Sequence, residues 1–127
     1  MTAQASPPPG PSGAPGEPSN PEDRKIITLA RAARARTQAS QGACVRDTDG
    51  RTYAGTTVQL EHLRLSAIAV AVAMAVSSGA AGLEAVALSA DASPSPDDLA
   101  VVGDLPGTGV LVWWTDAQGT VQSTIEV

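Results

Sequence analysis

Two nearly uninterrupted apolar runs set the frame for this chain. Ala67 to Val76 carries no polar side chain, and Leu83 to Ala90 is apolar apart from Glu84 and Ser89. The first run sits within Leu63 to Ser78, closed by Gly79, and predicts a helix apolar on every side, which must be buried. Its apolar centre of about ten residues is too short to cross a bilayer. The second, bounded by Gly82 and Asp91, predicts a central strand covered on both faces. A helix and a strand that both need cover call for a layered α/β domain.

The flanking segments supply the other layers. Asn20-Pro21-Glu22-Asp23 offers a cap, a first-turn proline and two acids at the positive end of a helix dipole. Ile26, Leu29, Ala30 and Ala33 follow at helical spacing, so a first helix is predicted from Pro21 to Thr37. Ala43 to Arg46 and Thr52 to Val58 read as strands joined through Asp47-Thr48-Asp49-Gly50, a hairpin signal. Ser95-Pro96-Asp97-Asp98 caps a short helix reaching Val102. Gly109 to Thr115 and Gly119 to Val127 finish the chain as two strands turning at Ala117-Gln118-Gly119. The expected fold is a three-layer α/β/α domain with a five-stranded mixed sheet and three helices.

Residues 1–21 hold seven of the ten prolines, and among their side chains only Glu17 is charged. Such a stretch cannot bury enough apolar surface to offset its ordering entropy. Residues 1–20 are therefore expected to be a disordered tail and 21–127 the domain. The tail has neither the basic start nor the apolar run of a secretion signal. With Cys44 the only cysteine, no intrachain disulfide can form, and a cytoplasmic location is expected. Cys44 and His62 are the only thiol and imidazole, too few for a typical zinc site within one subunit. The net charge of −5 is unevenly spread: all eight basic residues lie at or before Arg64, and residues 65–127 carry seven acids and no base. Two opposed faces of this kind can orient subunits or a partner. The basic group Arg24, Lys25, Arg31, Arg34 and Arg36 has no interleaved aromatic residue, which argues against nucleic-acid binding.

Several local sequences, in this order of elements, resemble the cytidine deaminase family over about residues 22–127. They are Gly42-Ala43, Asp49-Gly50-Arg51, Gly55-Thr56-Thr57-Val58, Ser66-Ala67-Ile68, Ala75-Val76-Ser77-Ser78-Gly79 and the last hairpin around Gln118-Gly119. The resemblance implies the deaminase fold and also exposes what differs. Zinc deaminases hold their metal with a His or Cys on one helix and Pro-Cys-x-x-Cys on the next, with a glutamate moving protons. The matching positions here are Ser66 for the first ligand, Ile68 for the glutamate, and Asp97 and Ala100 for the two thiolates. On the substrate side, Ala39 stands for the family's phenylalanine, and Thr57, Gln59 and Leu60 stand in its ribose-binding segment. Losing partners built to hydrogen-bond hydroxyls costs orders of magnitude in selectivity.

Other candidates read as structural. Ser66 lacks a nucleophile-elbow context, and only His62 could serve it as an imidazole base. Asp97 and Asp98 are adjacent on a helix and do not face each other. Cys44 in a strand behaves as a small hydrophobe. Trp113 and Trp114 point to opposite faces of their strand, so a ring not covered by a helix would mark an interface. The leading expectation is a deaminase-fold protein without metal, cofactor or catalysis, acting as a structural or interaction module that self-associates or meets another protein. A nucleoside- or nucleotide-binding module and a divergent hydrolase are the other two readings. No membrane partner is expected.

Overall fold

A computed structural model describes residues 16–127. Ten elements follow in order: α1 Pro21–Thr37, β1 Gln41–Asp47, β2 Thr52–Thr56, β3 Val58–Gln59, β4 Arg64–Leu65, α2 Ala67–Ser77, β5 Leu83–Ala90, α3 Pro96–Gly103, β6 Leu111–Thr115 and β7 Val121–Glu126. Five strands form one mixed sheet in the order β2-β1-β5-β6-β7, and β3 and β4 form a separate two-stranded ribbon. Only β5 and β6 run parallel, joined by the α3 crossover; the other pairs are antiparallel.

The three layers follow from the alternation of side chains along β1 and β5. Val45, Val86 and Leu88 face α2 and α3 in the larger core with Ile68, Val72 and Val102. Cys44, Ala85 and Ala87 face α1, where Ile26, Ile27 and Ala30 meet Trp113. Each fully buried Ile or Leu contributes about 1.5–3 kcal/mol relative to leaving it in water. Burial also pushes the Cys44 thiol up to about 11, so it is a packing residue and not a nucleophile. Close approach of α1 to β1 depends on Gly42: a Cβ there would fall on the Ala30 carbonyl oxygen and come within 2.8 Å of Arg34 Cβ.

Local chemistry sets most element ends. Asn20 caps α1, its Oδ1 accepting from Glu22 N–H at 2.9 Å. In the β1–β2 turn, Asp47 Oδ1 accepts from the N–H groups of Asp49 and Arg51, and Gly50 adopts φ 85°, a conformation that favours glycine. The second helix begins later than its apolar pattern suggests. Arg64 and Leu65 pair with Gln59 and Val58, and Ser66 then caps α2. No helix among the described residues is long and apolar enough to cross a membrane.

Residues 1–15 of the expected tail lie outside the described residues. Residues 16–20 do not behave as a free tail. Pro18 is buried, and Arg24 Nη1 donates to the carbonyls of Pro18 at 3.0 Å and Ser19 at 2.9 Å. Deleting residues 1–15 is expected to leave the melting temperature unchanged, whereas deleting through Ser19 should lower it by roughly 2–5 °C. Calorimetry of the two truncations checks this, and a fall with the shorter deletion would move the domain boundary upstream.

Candidate functional site

The parallel pair β5–β6 ends at Ala90 and Thr115, and ligands of open α/β sheets collect outside such carboxyl ends. Three further elements meet there. Gln41 opens β1 opposite Ala90, α2 starts beside Gln41, and the loop leaving β5 leads to α3. The rim is held by Arg34, whose guanidinium pairs with Asp91 at 3.0 Å and donates to the Ala39 carbonyl at 3.4 Å.

The starts of α2 and α3 converge on one hydrogen-bonded group. Ser66 Oγ accepts from Ala69 N–H at 3.1 Å and donates to Asp98 Oδ1 at 2.6 Å. Asp98 is 6% exposed, and its own N–H donates to the α3 cap, Ser95 Oγ, at 3.0 Å. Gln41 Oε1 accepts from Ala67 N–H at 3.2 Å. Both helix starts are thus capped by side chains of this chain, and one carboxylate sits where their positive ends approach.

The expected site residues divide accordingly. Ser66 is at the centre. Ile68 is fully buried in the larger core and opens onto no site. Asp97 and Ala100 are exposed on α3, and the neighbour that reaches Ser66 is Asp98. Among the described residues, no three His, Cys, Asp or Glu side chains are grouped so as to hold a metal ion. Ala39 is half-buried; next to it in the chain, Ser40 Oγ donates to Thr57 Oγ1 at 3.2 Å, and Thr57 donates to the Gln41 carbonyl at 3.3 Å. Gln59 and Leu60 are exposed on the β3–β4 ribbon and its tip. His62 is an exposed side chain 3.5 Å from Glu61.

The tryptophans point to opposite faces, one buried and the other half-buried. Trp113 is 8% exposed within the α1-side core, and its Nε1 has no hydrogen-bond partner. Trp114 is half-buried against the larger core, its Nε1 donating to the Ala90 carbonyl at 3.0 Å. The large apolar side chains left in solvent are instead Leu60, Leu63, Met74 and Val76. Sequence reasoning passed over Gln41, which carried no signal. It placed Asp98 only in a cap, although Ser95-x-x-Asp98 has the spacing that turns this side chain back toward a helix start.

The sequence profile of the family described as cytidine deaminase-like matches residues 19–119. No curated protein matches the chain significantly. Solved structures with this fold include the cytidine deaminase of Burkholderia pseudomallei, 23% identical, covering 80% of this chain and 90% of that one with a TM-score of 0.69. The cytidine deaminase of Mycobacterium leprae is 18% identical, with 80% and 90% covered and a TM-score of 0.64. That of Mycobacterium tuberculosis is 24% identical, with 69% and 80% covered and a TM-score of 0.60. At these identities the structures establish the shared fold, and the profile match over most of the chain establishes descent: the protein belongs to the cytidine deaminase-like family.

Proposed function

We propose that this protein is a non-catalytic member of its family, a cytoplasmic structural or interaction module that associates with itself. The observation that carries this reading is the meeting of α2 and α3. Ser66 and Asp98 satisfy each other there, with Ile68 sealed in the core behind them. Deamination needs an activated water, a mobile proton carrier and a place for the base. These residues offer one hydroxyl and one carboxylate, already bonded together.

Self-association is supported by the outer face of α2. No residue from Ala67 to Val76 is polar, yet Met74 is 41% and Val76 52% exposed, an apolar surface that a second copy would cover. The separation of charge along the chain adds a means of orientation, with Arg24, Lys25, Arg31 and Arg36 all exposed on α1. Three measurements test the reading together. Purified protein is expected to carry no stoichiometric zinc and to form no uridine from cytidine. Light scattering is expected to report a dimer or larger, and Met74→Asp should weaken association by about 2 kcal/mol or more. One zinc per subunit or measurable deamination defeats the non-catalytic part, and a strict monomer at high micromolar concentration defeats the association. A thermal shift with cytidine would favour the nucleoside-binding reading instead.

A further inference from the structure

The family resemblance asks for a metal where α2 meets α3, and the donors found there do not fit one. Ser66 Oγ is committed twice, accepting from Ala69 N–H and donating to Asp98, and Gln41 Oε1 is committed to Ala67 N–H. A single carboxylate remains, whereas zinc takes three or four ligands from Cys, His and carboxylate.

We infer that Asp98 has taken over the task of a metal as the tie between the two helices, with Ser66 as its anchor on α2. The geometry has the marks of a strong contact. An O–H···O⁻ bond of 2.6 Å lies in the charge-assisted range, and Asp98 is 6% exposed, so water competes little. The carboxylate also places a negative charge in the first turn of α3 and against the cap of α2, where both helix dipoles favour it. The link spans 32 residues of sequence, so it closes a loop that includes all of α2 and β5. The bond then ties the start of α3 to the start of α2 through side chains of this chain alone. This inference rests on the non-catalytic reading of the site, but its test reads stability and not turnover.

Asp97 is the internal control, because it shares the first turn of α3 and its dipole but is exposed. Asp98→Ala should lower the melting temperature by roughly 5–10 °C and Asp97→Ala by about 1 °C or less. Asp98→Asn, which can still accept from Ser66, should fall between them. Ser66→Ala and Asp98→Ala should be strongly non-additive, since either change removes the same bond. EDTA should leave the parent's melting temperature unchanged. Equal effects of Asp97→Ala and Asp98→Ala, full additivity in the cycle, or a chelator-induced fall would each overturn the inference. A second arm tests the position directly. Zinc should stabilise Ser66→Cys/Asp98→Cys/Val101→Cys, whose third site is half-buried one turn on, and not Ser66→Cys/Asp97→Cys/Ala100→Cys. The reverse preference would show that Asp98 does not occupy the bridging position.

Discussion

Arg46→Ala is expected to destabilise the protein by about 3–5 kcal/mol, the range for breaking a buried ion pair by removing one partner. Arg46 is 7% exposed in β1 and joins three elements: its Nε donates to Glu84 of β5 at 2.9 Å, and its Nη1 lies 2.9 Å from Asp23 of α1. The second contact is close enough for an ion pair but is not aligned as a hydrogen bond. Burial works against the Arg46 charge, but the two carboxylates outweigh it, so its pKa lies above the ordinary value. The two acids differ in what they lose. Glu84 has a side chain 45% exposed and can return to water, whereas Asp23 has one 9% exposed and would be left buried without a partner. Most of the cost therefore comes from Asp23. Asp23→Ala combined with Arg46→Met should recover much of it, because replacing a buried pair by apolar groups is often near neutral. Urea titrations with an unchanged slope would check both values. A loss below about 1 kcal/mol for Arg46→Ala would mean that water reaches Asp23 and that the triad is not what fixes α1 on the sheet.

How much of this was legible in the sequence depended on range. The span Pro21–Thr37 was readable from Asn20 and Pro21, because capping is chemistry between close neighbours. Leu83–Ala90 was readable because a strand covered on both faces must be apolar along its length. The ribbon of Val58–Gln59 with Arg64–Leu65 was not, since two-residue strands have no periodicity, and the second helix was accordingly begun at Leu63 and not Ala67. The site was hardest. Ser66 and Asp97 stood out from the resemblance, but nothing in it pointed to Asp98, the residue that bonds to Ser66. A shift of one residue on a helix turns a side chain by about 100°, which is the difference between solvent and the α2 start. The packing of Val102, with Leu99 and Val101 beside it, against the core decides which face of α3 turns inward. Trp113 and Trp114 showed the same limit. Alternation gave their opposed directions, but whether a layer covered each ring depended on α1 and on the end of β5.

The largest effect is expected where the family's glutamate would be restored. Ile68→Glu should cost about 4 kcal/mol or more at neutral pH, from lost apolar burial and from a charge with no partner. Ile68 is 0% exposed and belongs to the apolar core that includes Val45, Ala71, Val72 and Leu88. The introduced carboxyl would escape part of the penalty by holding its proton, which raises its folded-state pKa above the unfolded value of about 4.3. The sign of the pH dependence follows. Below the unfolded value both states are protonated and only packing is lost. Above it the unfolded chain ionises while the core resists, so the deficit grows by about 1.4 kcal/mol per pH unit until the folded value is reached. Ile68→Gln separates the two parts, because it loses similar packing but should show no added pH dependence. Ile68→Val should cost only about 0.5–1.5 kcal/mol. Denaturant titrations of the three variants between about pH 4 and pH 8 would measure this. If Ile68→Glu is as stable as the parent at neutral pH, or its deficit does not change with pH, the side chain must reach water or a polar partner. The site would then be open behind Ser66, and a bound nucleoside would become the better account of the protein.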